Sequence, residues 1–280
     1  MKYVMVRAGV LAVLGLFLTV PSRAQSDQNK NNPSLEQTKP GQVPKDAAGK
    51  LPVVAKEETA AYKAVYDARD GEPAHVIELG EAFAVKYPMS VYNVAVYSLL
   101  TTAYLSVNQP EKMIDAGTKA LALNPDNIDV LPLLAWAIPR RVNAQTPNGP
   151  QLLVAAQGYA HHAIDLLGTM AKPAGIDDGA FAKAKNDKLS MCHDGLGVAD
   201  LKTGKNDDAV TELTEAVKLN PNPDPVEYYL LGVADESGNH FTDAIASFNK
   251  CAGDGPMQTQ CKSGINDTKK KAQNNVEAPK

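Results

Sequence analysis

From Lys56 onward the chain repeats apolar residues three and four positions apart, as in Leu213, Ala216, Val217 and Leu219 after the polar start Asn206-Asp207-Asp208. That period places the apolar residues on one face of a helix, and the polar start suits a helix N-terminus. Turn signals break the pattern at short intervals: Asp70-Gly71, Asn108-Gln109-Pro110, Thr203-Gly204 and Ser237-Gly238. Each is followed by another helical pattern, so the segment is predicted to be a chain of helical hairpins. Aromatics make up only 6% of the chain, and its many small side chains suit closely packed helices better than layered sheets.

Self-similarity sharpens this expectation. Gly197, Ala209, Ala216 and Pro221 are spaced by 12, 7 and 5 residues, and so are Thr101, Met113, Ala120 and Pro125, and again Ala64, Val76, Phe83 and Pro88. Gly232, Ala244 and Cys251 repeat the first two spacings. With Asp207-Asp208-Ala209-Val210 leading to Ala216-Val217-Lys218-Leu219-Asn220-Pro221, and Lys119-Ala120-Leu121-Ala122-Leu123-Asn124-Pro125 in an earlier unit, the sequence resembles the tetratricopeptide-repeat (TPR) family. The resemblance implies an all-α fold, a right-handed α-solenoid of stacked hairpins whose first helices line a concave groove.

About five units are expected over 56–254. In one of them Leu133-Leu134 and Trp136 look like a first helix, and Ala156, Ala160 and Ala163 like a second. Leu134 and Ala156 are 22 residues apart, which implies ten extra residues in the turn, over 139–150. The stretch from Gly168 to about Asp187 has room for a helix of its own. A polar capping helix is expected over 255–273, followed by a tail over 274–280.

The N-terminus reads differently. Lys2 and Arg7 precede an apolar run from Ala8 to Val20, and Ser22-Arg23-Ala24 supplies small residues for cleavage before Gln25. Residues 1–24 are therefore expected to be a signal peptide that directs the chain to the periplasm or out of the cell. The run is shorter than the roughly 20 residues of a membrane span, and no later stretch is a candidate span. Residues 25–55 are polar and hold Pro33, Pro40, Pro44 and Pro52, which predicts a disordered linker. Cleavage would remove three of 28 basic residues and none of 32 acidic ones, leaving a net charge of −7. That balance points away from nucleic acid as a partner.

No spacing in the chain announces catalysis. Gly195-Leu196-Gly197 lacks the third glycine and the preceding strand of a dinucleotide fingerprint. His161 and His162 are adjacent, so on a helix they point about 100° apart, and His193 beside Cys192 meets the same objection. No cofactor, no metal and no catalytic residue is expected, and other proteins or peptide segments are the expected partners. By resemblance to the family, the groove over the last two units is lined by Asp194, Val198, Leu201, Lys202, Val226, Tyr229, Val233 and Glu236, with Tyr229 as anchor. The alternative is a small-molecule or enzyme-accessory site built from Trp136, Arg140, Arg141 and the 139–150 insertion.

Of the three cysteines, Cys251 falls late on the last repeat helix and Cys261 on the capping helix, with Gly253, Gly255 and Pro256 between them. A disulfide between these two is expected, worth about 3 kcal/mol in the chain-entropy account. Cys192 is left as a buried thiol.

Overall fold

The computed structural model describes residues 54–277. The expected signal segment, nearly all of the 25–55 linker and residues 278–280 lie outside the described residues. Among the described residues every regular element is helical: α1 (Lys56–Ala68), α2 (Pro73–Lys86), α3 (Asn93–Ser106), α4 (Pro110–Leu123), α5 (Leu131–Arg141), α6 (Gly149–Thr169), α7 (Asp178–Thr203), α8 (Asn206–Leu219), α9 (Pro225–Ser237), α10 (Phe241–Cys251) and α11 (Gln258–Glu277). They form five antiparallel hairpins, α1–α2 through α9–α10, with α11 alone at the end. None is long and apolar enough to cross a membrane.

Local chemistry sets the helix ends. Proline, which lacks an N–H that the first turn could not pair anyway, opens α2 (Pro73), α4 (Pro110) and α9 (Pro225). Three hairpins share one turn. Asn108, Gly204 and Asn239 sit in the left-handed region at φ 55°, 77° and 65°. The next amide then reaches back five residues: Gln109 to the Tyr104 carbonyl at 2.9 Å, Lys205 to Asp200 at 3.0 Å, His240 to Asp235 at 2.8 Å. This closure satisfies helix-end carbonyls and sends the chain straight into the next helix.

Packing between helices obeys a rule of size complementarity. At Gly117 an added Cβ would lie 2.8 Å from Leu134, while Gly197 faces Leu213 at 2.5 Å and Gly232 faces the Phe248 ring at 2.7 Å. One side of each contact is glycine and the other a large side chain. The repeat positions Met113, Ala120, Ala209, Ala216 and Ala244 are all fully buried. The first unit departs from the expected register: Ala64 is exposed, and Tyr62 and Val65 bury instead. Tyr62 stacks on Tyr92 with centroids 4.2 Å apart.

The interrupted unit also differs from expectation. Pro139–Arg141 continues α5 and Gly149–Pro150 starts α6, so only Val142–Asn148 forms a turn. It is an ordered turn: Thr146 Oγ accepts from the Asn143 amide at 2.9 Å, and the Gly149 amide donates to the Thr146 carbonyl at 3.1 Å. The stretch from Gly168 to Asp187 holds no separate helix. Its second half is the N-terminal extension of α7, capped by Asp177 accepting from the Ala180 amide at 3.0 Å. At the C-terminus α11 runs four residues beyond the expected cap, from Gln258 to Glu277.

First helices pack on first helices at four joints (α1 on α3, α5 on α7, α7 on α9, α9 on α11), whereas among the described residues second helices lie farther apart and touch through side chains such as Lys112 of α4 and Glu81 of α2. The closest approach is at α5 and α7, where a Cβ on Gly195 would lie 2.4 Å from the Ala135 carbonyl oxygen. Backbone meets backbone there, and nothing flexible can give way. Gly195→Ala should therefore destabilise the chain by about 3 kcal/mol. Gly158→Ala on α6, whose Cβ would meet nothing within 4 Å, should stabilise it by about 0.5–1 kcal/mol. Thermal melts followed by circular dichroism would measure both, and equal melting temperatures for Gly195→Ala and parent would rule out the crossing.

Candidate functional site

The eight residues expected to line the groove do not share one open surface. On α7, Asp194 and Val198 are 2% and 4% exposed, because α5 crosses α7 so closely that the first-helix side is closed there. Leu201 is half-buried in a small cluster with Leu213 and Leu231. The Lys202 ammonium donates to the Val142 carbonyl at 2.6 Å. Its partial burial and the neighbouring Arg140 charge lower its pKa.

The inserted turn and the groove are thus in contact. Arg140 lies with its guanidinium carbon 4.5 Å from the centroid of the Trp136 ring, donates to the Trp136 carbonyl at 3.0 Å, and forms an ion pair with Asp194 Oδ2. Trp136 and Met191 are each half-buried against the core formed by α1 to α5. One face of the Trp136 ring, in the expected alternative small-molecule site, is therefore covered by Arg140. Arg141 points to the other side and pairs with Glu111 of α4.

Burial holds the Asp194 carboxyl above the usual carboxylate range, and the Arg140 charge opposes it. A second carboxyl belongs to the same neighbourhood. Glu227 is the third residue of α9 and completes a capping box: Asp224 Oδ1 accepts from the Val226 and Glu227 amides at 2.7 and 3.1 Å, and Glu227 Oε2 accepts from the Asp224 amide at 3.0 Å. Asn220 Nδ2 donates to both Glu227 oxygens, at 3.2 and 3.0 Å. Burial, with the charges of Asp194 and Asp224, pushes the Glu227 pKa up to about 8. The spacing Asp224-x-x-Glu227 is that of a capping box, a signal the sequence reading did not use, and no spacing tells of its burial beside Asp194.

On α9, Val226, Tyr229, Val233 and Glu236 occupy one side of the helix, all half-buried. Tyr229 packs on Phe248 with ring centroids 5.8 Å apart. Burial and the Glu236 charge raise its pKa. Glu236 accepts hydrogen bonds from Thr268 and Lys271 of α11. The face expected to meet a partner is thus partly covered by the C-terminal helix.

Elsewhere, His193 Nδ1 lies 2.7 Å from Glu212 Oε2, both largely covered, which ties α7 to α8. Cys192 is a buried thiol, its pKa pushed up to about 12 by burial. Among the described residues no three His, Cys, Asp or Glu side chains are grouped to hold a metal ion. A cleft of about 440 Å³ opens between α6 and α8, lined by Val154, Gly158, His161, Asp200, Lys205 and Glu212 among others. Within it Asp200 Oδ1 accepts from Gln157 at 2.9 Å.

No family model matches the sequence, and no curated protein matches it. Among solved structures, the crystal structure of a thermophilic TPR protein from Thermus thermophilus is similar with a TM-score of 0.45 and 15% identity, covering 75% of this chain and 98% of that one.

Glu227 makes stability depend on pH. Its folded pKa of about 8 lies above the ordinary 4.5, so the folded chain holds the proton between those values and the unfolded chain does not. Stability from this group is complete below about pH 4.5 and is lost as pH rises toward 8. The parent melting temperature should fall between about pH 5 and 8, and Glu227→Gln should flatten that fall. An unchanged slope in the variant would remove Glu227 as its source.

Proposed function

We propose that this chain is a protein-interaction scaffold of the TPR type, binding a segment of a partner along the side lined by its first helices. The observation that carries the reading is the packing asymmetry. Four of the five joints between successive first helices bring them together, whereas second helices approach each other only through side chains such as Lys112 and Glu81. A stack of this kind presents a preformed surface made of many side chains. It suits an extended or helical peptide better than a single small molecule.

Two stretches of that surface stay accessible. One is α3, where Ser98, Thr102 and Leu105 are half-buried; the other is the end of α7, where Leu201 is half-buried beside the exposed Lys202. Between them the crossing of α5 on α7 closes the groove, so a bound segment touches both stretches and passes over Arg140 and the Val142–Asn148 turn. The groove residues on α7 and the inserted turn then belong to one site rather than to two competing ones. No catalytic step is assigned to the chain.

The finer reading is an exported scaffold in the periplasm or outside the cell, serving assembly of an envelope or secretion complex. It is supported by the basic start and apolar run before Ser22-Arg23-Ala24. The bond between Cys251 and Cys261 also suits an oxidising compartment.

The test is site-specific photo-crosslinking in the native host. A photoreactive residue at Thr102 or Leu201 should give discrete crosslinks to another protein. At Val85 or Thr214, exposed on second helices, it should give none. Crosslinks confined to Val85 and Thr214, or a small molecule retained by the purified chain with no crosslinks at all, would overturn the scaffold reading.

A further inference from the structure

The sixth first-helix position is filled by α11, and the way it is filled identifies a helix-accepting surface. Gly264 of α11 faces Phe248, with an added Cβ 2.8 Å from the ring, and Gly232 of α9 faces the same ring at 2.7 Å. The ring is thus held between a glycine of its own hairpin and a glycine of the helix that follows. Four residues on, Thr268 is fully buried and donates to Glu236, and three residues later Lys271 reaches the same carboxylate. Positions 264, 268 and 271 share one face of a helix. The surface of α9–α10 therefore selects a helix with a small residue, a hydroxyl four residues later, and a cation three residues after that.

Away from this stripe α11 is mostly polar, with Gln258, Gln260 and Ala272 half-buried. Its apolar share of the interface is Cys261 and half-buried Ile265, with Met257 just ahead of it. An amphipathic helix holds its place mainly by its apolar face, and this one offers little. What fastens it is the covalent bond from Cys251 to Cys261, whose Cα atoms are 5.9 Å apart.

We propose that the α9–α10 end is a surface for a helix of that pattern, that α11 is its internal occupant, and that the Cys251–Cys261 bond is the latch that keeps α11 seated. With both thiols free α11 leaves the surface readily, and a helix of the same pattern replaces it. Closing the latch takes two electrons and two protons from the thiols. One cysteine thiolate attacks a disulfide-bearing oxidant to give a mixed disulfide, the other cysteine displaces it, and the oxidant departs as a dithiol. Once formed, the bond is covered, at 3% and 0% exposure of the two residues. The latch operates whether or not the groove over α3 and α7 binds a partner.

Hydrogen exchange by mass spectrometry on the full chain, oxidised and reduced, tests the latch. On reduction the amides of α11 should exchange at least ten-fold faster while α9 and α10 keep their protection. Continued protection of α11 with free thiols contradicts the proposal. So does joint loss of protection in α9, α10 and α11, which would make the bond a staple of the hairpin. The surface is tested with a Gly264→Leu, Cys261→Ser double variant, in which α11 cannot seat. It should bind a synthetic peptide of residues 256–275 (carrying Cys261→Ser) saturably, whereas the oxidised parent should not. A folded double variant that ignores the peptide, or that binds a Gly264→Leu peptide as well, refutes the helix-accepting surface.

Discussion

The tightest contact at any glycine among the described residues is the crossing of α5 on α7, where Gly195 meets the Ala135 carbonyl with no room for a Cβ. Other tight contacts set a glycine against a leucine or phenylalanine side chain, which can shift by a rotamer. This one sets backbone against backbone. It fixes the third and fourth hairpins to each other, and the larger core of α4 to α7, with Leu134, Ala135, Ile138, Cys192 and Leu196, is built around it. From there the packing thins toward the C-terminus, where two small clusters under α8–α9 and α10–α11 suffice.

The same crossing explains the electrostatics. By closing the first-helix side over α7 it takes Asp194 out of water, and a carboxylate so placed needs a partner. Arg140 provides it from the last turn of α5, steadied by the Trp136 ring. Asp194 and Asp224 then help to keep Glu227 protonated to high pH, so the fourth and fifth hairpins are joined through a site whose charge depends on pH. One close contact accounts for a blocked groove, a buried ion pair and a titrating joint.

Much of the fold was legible because it is local. The turns Asn108-Gln109-Pro110, Thr203-Gly204 and Ser237-Gly238 announce themselves by residue type, and the 12- and 7-residue spacings set the hairpins apart. The cysteine pair followed from two helices and a short turn. What was hidden depends on distance along the chain. Arg140 and Asp194 are 54 residues apart, and Lys202 and Val142 are 60 apart; no periodicity brings such pairs together. Nor could spacing tell that Gly195, beside the repeat glycine Gly197, would be the closer contact, or that Ala64 would stay exposed while Tyr62 was buried. The expected groove failed at Asp194 and Val198 for the same reason. A regular solenoid leaves those positions open, and here the α5–α7 crossing closes them.

That crossing is the joint of the stack, and native-state hydrogen exchange measures it directly. In the parent, amides of α5 and α7 should be among the slowest and should open together in one step. In Gly195→Ala both should lose protection together, while the terminal α1–α2 and α9–α10 hairpins keep theirs. If α7 alone loosens and α5 keeps its parent protection, the two helices are not joined by that contact and the central claim is wrong.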